Sequence, residues 1–260
     1  MVEVSDELII QHEDFMKEIN TNFRLIWKTL KNISPYVHDA VFSELHKKNV
    51  LREVYLTELF EGIEKISLPL EVINEESGQE NHVDLLYVVA IAKYLQAKNI
   101  FEFGTYFGKT TYFLAATSDD THVTTLDFPP DQSQTGDYQG SYFKNSDREH
   151  QITQLLADSK KFDPLPYKRL MNLIFVDGDH SYTGISHESK KALKMLAPGG
   201  VIIWHDYAAK TPDVVRYFND FTAKKPVFHI KRTSLVIYID GVDPLTFNPS
   251  KRLFTKSNLR

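Results

Sequence analysis

Residues Ile100 to Thr111 read IFEFGTYFGKTT. An apolar run holding one acid, Glu102, is followed at once by Gly104 and Gly108. The pattern predicts a buried strand, a tight glycine turn and a helix beginning near Lys109. Gly104 lets the backbone take a turn that a Cβ obstructs. Gly108 lets the first helical turn approach a ligand and offer it free N–H groups. Such a unit builds a cofactor pocket at the carboxyl end of a strand, where open α/β sheets place their ligands. The stretch lacks the three-glycine spacing of a dinucleotide fingerprint, and Gly108-Lys109-Thr110 lies one residue too near the first glycine for a phosphate loop. A glycine pair at this spacing also serves packing alone, so the remaining chain must decide.

Beyond this turn the chain alternates. Asp84 to Gln96 reads as the helix that feeds the strand at Asn99–Phe103, and a helix over Thr110 to Thr117 follows. Next come the strand HVTTLDF, ending in Asp127, and the strand Ile152 to Leu156, leading to Asp158-Ser159. Met171 to Val176 is an apolar strand that ends at Asp177; a helix over Gly184 to Leu196 and the turn Pro198-Gly199-Gly200 deliver the strand VIIW, closed by His205-Asp206. A helix over Asp213 to Phe221 precedes two short strands, Val227–Lys231 and Ser234–Ile239, close enough to be antiparallel neighbours. Strands alternating with helices predict a parallel sheet covered on both faces. Between Pro129 and Arg148 the alternation fails, and the Gly/Ser/Asp/Gln/Tyr-rich stretch reads as a mobile flap over the pocket, with Tyr142 or Phe143 as packing surface.

Four predicted strands thus end in acids: Asp127, Asp158, Asp177 with Asp179, and Asp206. One acid at a strand end is ordinary turn chemistry. Acids at all four, beside a glycine turn, suit a ligand with hydroxyls and amines. An acid after the second strand accepts both hydroxyls of a ribose, as in dinucleotide sites, and Asp158 beside Ser159 suits the exocyclic amine of a purine. The pocket is short of cations for a triphosphate, which favours a nucleoside whose other arm is not polyanionic.

The N-terminal region reads differently. Phe15, Ile19, Phe23, Ile26 and Leu30 form one face of an amphipathic helix. Ser34-Pro35 marks another start, followed by Val37, Val41 and Leu45 and then Leu51, Tyr55, Leu59 and Ile63. We expect a helical cap or extension over 1–75, a catalytic domain over 76–245 and a basic tail over 246–260. Residues 1–80 carry 8 Lys/Arg against 16 Asp/Glu. The basic residues of the tail are too few for the broad face of a nucleic-acid binder. The chain has no cysteine, which excludes disulfides and thiolate chemistry. The acidic N-terminus shows no secretory signal, and the apolar run around Leu85 to Leu95 is broken by Lys93 and too short to span a bilayer. These features fit a cytoplasmic protein with no membrane partner.

The segments EFGTYFGKT (102–110), LDF (126–128), ADS (157–159), FVDGDHSY (175–182) and APGGVIIWHDY (197–207) stand in an order and spacing that resemble a class I S-adenosylmethionine-dependent methyltransferase. More narrowly, the chain is similar to the small-molecule O-methyltransferases of the catechol, antibiotic-tailoring and surface-sugar kinds. The likeness covers about Asp84 to Ile239. It implies a Rossmann-like, doubly wound α/β sheet of about seven strands in the order 3-2-1-4-5-7-6, with one antiparallel strand in the last pair. It further implies that Gly104, Thr105, Tyr106 and Gly108 pass beside the methionine part of the cofactor, with Glu102 at its base and Thr110 near its carboxylate. Asp127 would hold the ribose hydroxyls, Phe128 would line the adenine slot, and Asp158 and Ser159 would meet the adenine amine. Asp177 would stand between cofactor and acceptor, and His180 takes the place of the lysine base of catechol-type enzymes.

Methyl transfer from a sulfonium asks mainly for positioning and for removal of the acceptor's proton, which a histidine can perform. A divalent metal, Mg or Mn, would lower the acceptor pKa, and Asp177, His205 and Asp206 can supply three ligands. Imidazole suits transition ions better than Mg2+. Either a transition ion binds, or Asp206 alone contacts the metal, or none binds and His205 is a second base. The expected activity is O-methylation of a small molecule or sugar by a homo-oligomer, plausibly a dimer. The alternative is a cofactor-binding but non-catalytic assembly or regulatory protein. An N-methyltransferase of nucleic acid or protein lacks its Asn/Asp-Pro-Pro-Tyr/Phe motif, since Phe128-Pro129-Pro130-Asp131 is a different pattern.

Overall fold

Strands β2 (Asn99–Phe103), β5 (Met171–Val176) and the end of β6 (Leu196–Trp204) are nearly continuous apolar runs, buried on both faces. That is the composition of central parallel strands, which are covered by helices above and below. A computed structural model describes residues 51–69, 82–221, 226–244 and 246–248. It divides into two compact units. One comprises 51–207 and 213–260 and carries the sheet. The other comprises 1–50 and 208–212, of which only 208–212 are described, a turn closed by the Thr211 N–H on the Ala208 carbonyl at 3.0 Å.

The sheet has eight strands in the order β1-β7-β8-β6-β5-β2-β3-β4, where β1 is Arg52–Val54, β3 His122–Asp127, β4 Ile152–Leu156, β7 Phe228–Ile230 and β8 Val236–Ile239. From β7 to β4 this is the expected seven-strand order, with β8 antiparallel to both β6 and β7. The helices of this unit are α1 (Leu56–Leu59), α2 (His82–Tyr94), α3 (Lys109–Ala115), α4 (Tyr182–Met195) and α5 (Pro212–Phe221).

The extra strand, β1, pairs parallel with β7, and the Lys231 N–H reaches the Val54 carbonyl at 2.9 Å. Helical spacing predicts a single helix through Leu51, Tyr55, Leu59 and Ile63, and this is corrected. Tyr55 is exposed, while Val54, Leu56, Leu59, Phe60 and Ile63 are buried. The edge of β7, three buried residues whose outer backbone groups β1 satisfies, outweighs the weak local preference. Residues 52–54 therefore belong to the sheet rather than to a helical cap. The rest of that cap, 1–50 and 70–75, lies outside the described residues, as does the tail beyond 248. Phe247, within the expected tail, is buried edge-on against Phe228 at 5.3 Å.

The register puts the carboxyl ends level. Phe103 pairs with Leu126 and Val176, and Val176 pairs with Trp204. The ladder runs one residue further, from Gly104 N–H to Leu126 O (2.8 Å), Asp177 N–H to Phe103 O (2.9 Å) and His205 N–H to Val176 O (3.0 Å). Gly104, Asp127, Asp177 and His205 therefore share one rim.

Candidate active site

The rim has two corners. The first is the glycine turn between β2 and α3. Gly104 has φ +93°, and a Cβ there would lie 2.2 Å from the Asp177 carbonyl oxygen, so only glycine allows this approach. Asp127 closes the turn from the end of β3: its Oδ2 accepts the N–H groups of Thr105 (3.1 Å) and Tyr106 (2.9 Å), and its Oδ1 accepts that of Phe128 (2.7 Å). Beneath the turn, Thr105 and Thr125 share a hydroxyl–hydroxyl hydrogen bond of 2.8 Å. Glu102 is fully buried and accepts from Thr111 Oγ1. Burial pushes the Glu102 carboxyl up to about 8, with Asp177 and Asp127 adding repulsion against the hydrogen bonds from Thr111 and Thr125. It is a neutral acid at neutral pH. Thr110, in the first turn of α3, is half-buried, as is Phe128.

Gly108 has φ +84° and precedes α3 as expected, but its missing Cβ makes room for the Phe143 ring, 2.5 Å from where that Cβ would stand. The stretch 129–148, expected to be a mobile flap, is tied to the turn. Gly140 N–H bonds Tyr106 O and Tyr142 N–H bonds Phe107 O, each at 2.9 Å, and Gln139 Nε2 donates to Phe128 O at 3.0 Å. Phe143 is the buried ring of this stretch. Tyr106, with φ +50°, and Phe107 remain partly exposed, their rings edge to face at 4.5 Å.

The second corner gathers side-chain charges after β5 and β6. His180 Nε2 stands 3.1 Å from Asp206 Oδ2 and 3.6 Å from Asp177 Oδ1. His205 Nδ1 is 3.1 Å from the same Asp177 oxygen and 3.5 Å from Asp206 Oδ1, while its Nε2 meets Asp84 Oδ2 at 3.2 Å. Both ring nitrogens of His205 thus face carboxylates, which only the imidazolium satisfies. Burial works against that charge, but Asp177, Asp206 and Asp84 hold the pKa well above the usual histidine value. Asp177 is opposed by burial in the same way, yet His205 and the hydrogen bonds from both histidines keep it below the carboxylate range. His180 is raised by Asp177, against partial burial, with Asp206 adding to the rise. Asp206 takes φ +60°, a strained conformation that aims its carboxylate into the corner.

Among the described residues, ligand atoms of Asp177, His180 and Asp206 lie within 4.8 Å of one another. Of the expected metal set, His205 stands between Asp177 and Asp84, while His180 shares the corner with Asp177 and Asp206. Asp84 escapes sequence reading. It sits in the first turn of the apolar helix α2, is 1% exposed and accepts from Ser234 N–H at 3.1 Å. The one available signal is an acid at the start of an otherwise apolar helix. Asp158 caps its own turn, accepting from Lys160 N–H at 2.8 Å, whereas Ser159 donates to Glu188 of α4 at 2.7 Å. Glu188 is likewise absent from the expected set.

Residues 101–207 match a family described as "Methyltransferase domain". Two solved structures share the fold. The O-methyltransferase TomG from Streptomyces achromogenes, in complex with SAM, aligns with TM-score 0.51 and 15% identity over 80% of this chain and 100% of its own. SAH-bound PaMTH1 from Podospora anserina aligns with TM-score 0.52 and 14% identity over 81% of this chain and 97% of its own. No curated protein sequence matches the chain. No helix among the described residues is long and apolar enough to cross a membrane.

Proposed function

We propose, on the premise that residues 101–207 form a class I methyltransferase domain, that the protein moves a methyl group from S-adenosylmethionine to a hydroxyl of a small molecule or sugar. The observation that carries this reading is His180 Nε2 poised beside Asp177 and Asp206 on the rim that also bears the glycine turn. S-adenosylmethionine, when bound, supplies an electrophilic methyl group. The chain's own tasks are to seat the donor along Glu102, Gly104 to Gly108 and Thr110, to hold its ribose and adenine near Asp127, Phe128, Asp158 and Ser159, and to receive the acceptor's proton on His180. Asp177 and Asp206 hold that imidazole in place and raise its basicity.

The same corner favours a second version of this chemistry. Two carboxylates and one imidazole within 4.8 Å fit a divalent ion of the Mn2+ or transition type better than Mg2+. His180 Nε2 would then be a ligand and not a base, so the two versions exclude each other. A homodimer working in the cytoplasm on such an acceptor belongs to the same proposal, checked first by light scattering.

The test is calorimetry with S-adenosylhomocysteine, followed by turnover on a panel of hydroxyl acceptors. His180→Ala is expected to lower kcat by about 100-fold or more while cofactor affinity stays within about twofold. A chelator leaves wild-type turnover intact if His180 is the base and abolishes it, with rescue by Mn2+, if the corner holds a metal. Binding of the cofactor without turnover of any acceptor would instead support the assembly-protein reading.

A further inference from the structure

Glu188 lies in the middle of α4, 2% exposed, and nothing in the chemistry above uses it. Its Oε1 accepts two hydrogen bonds: one from Ser159 Oγ at 2.7 Å, the other from Asp179 N–H at 3.3 Å. Space is kept for this oxygen, because a Cβ at Gly178 would lie 2.6 Å from it. Around the pair, Lys160 Nζ bridges to Asp179 Oδ2 at 2.8 Å, and Lys191, one helical turn beyond Glu188, donates to the carbonyls of Ser159 and Lys160. The stretch after β4 is thereby pinned to the turn after β5. Phe162, just beyond it, packs on Phe101 and Phe103 of β2, so this stretch crosses under the central strand beside the glycine turn.

A serine hydroxyl has one proton, and here it is committed to a carboxylate oxygen. Toward any further partner Ser159 can only accept. We infer that Glu188 is a positioning residue that fixes the Ser159 hydroxyl as a hydrogen-bond acceptor, and so selects a nucleoside bearing an amino group over one bearing a carbonyl at that point. This rests on the reading that the donor's purine reaches Ser159. A 6-amino purine brings an N–H to the waiting lone pair. A 6-oxo purine sets an oxygen against it, and a buried acceptor facing an acceptor loses a hydrogen bond. Burial pushes the Glu188 carboxyl up to about 7, so the binding comparison is made at pH 8, where the accepting carboxylate prevails.

Calorimetry on the full chain compares S-adenosylhomocysteine with its deaminated form, S-inosylhomocysteine. Wild type is expected to favour the amino form by about tenfold, one hydrogen bond's worth. Glu188→Ala frees the hydroxyl to turn and donate, and the ratio falls toward one. Glu188→Gln keeps an acceptor oxygen at the same place and holds the ratio near the wild-type value. Should Glu188→Ala fail to fold, Gly178→Ala tests the same bond, since its methyl displaces the carboxylate without removing it and is also expected to lower the ratio. Ser159→Ala lowers it from the other end of the bond. A ratio unchanged in Glu188→Ala or Gly178→Ala overturns the inference, as does a wild type that binds both nucleosides equally, while the cofactor reading stands in each case. A wild type that binds neither overturns the cofactor reading itself, and the inference with it.

Discussion

The two corners of the rim hold their acids by different means. At the glycine turn, Asp127 is satisfied by three backbone N–H groups. At the far corner, Asp177, Asp206 and Asp84 are satisfied chiefly by two histidines. Backbone donors carry no proton that titrates, so the clasp around Asp127 keeps its donors across the working pH range. Imidazoles do titrate, so the second corner changes charge with pH or with a bound ion. The glycine-turn corner is a fixed mould, and the histidine corner is an adjustable charge cluster set on the same strand ends.

The largest effect on stability should come from cutting the charge cluster. Asp84→Ala strips one carboxylate from the buried His205 imidazolium, and breaking a buried pair in this way costs about 3–5 kcal/mol, read as a fall in the urea midpoint. The pH dependence has a definite sign. A histidine raised in the folded state contributes stability below about pH 6.5, and that contribution is lost as pH climbs through its raised folded value. Asp84→Asn lowers the folded value, so the contribution is smaller and its loss is complete at lower pH than in wild type. A wild type and mutant with parallel pH profiles would erase the contrast between the corners.

Glu102 sharpens the comparison because it lies between the corners and feels both Asp127 and Asp177. Its carboxyl rises from 4.5 to about 8 on folding, so the folded state holds a proton that the unfolded chain has lost. Stability therefore falls as pH rises from 4.5 toward 8, on the order of a few kcal/mol across the window. Glu102→Gln should flatten that slope in urea denaturation followed at pH 5, 6.5 and 8. A slope equal to wild type would mean that Glu102 is ionised and the floor of the turn is charged.

How much of this is legible in the chain follows the same division. The central strands and the glycine turn could be read because local signals suffice: apolar runs of five or six residues, a glycine where a Cβ meets the Asp177 carbonyl, and an acid at or within two residues of the ends of β3, β4, β5 and β6. Strand β1 was illegible because three residues carry no period, and the edge of β7, far along the chain, decides their state. Asp177 and Asp206 could be read from strand ends, and His180 only from the resemblance. The role of His205 could not, because it depends on which carboxylates reach its two nitrogens, and one of them, Asp84, comes from a helix 121 positions earlier. Glu188 is hidden for the same reason, since an acid inside an amphipathic helix looks like part of the solvated face.

The smallest effect should come from the mould itself. In Asp127→Asn the amide oxygen can still accept from Thr105 and Tyr106, while the amide nitrogen now faces the Phe128 N–H, donor against donor. The net loss is about 1–2 kcal/mol, the cost of one misdirected hydrogen bond at a half-buried site. Between pH 6 and 8 that loss should shrink, because the uncharged amide no longer opposes ionisation of Glu102. Urea midpoints of wild type and Asp127→Asn measured at both ends of the window check it. A loss that stays constant with pH would show that Asp127 does not act on Glu102, and the floor of the turn would then be electrostatically separate from its wall.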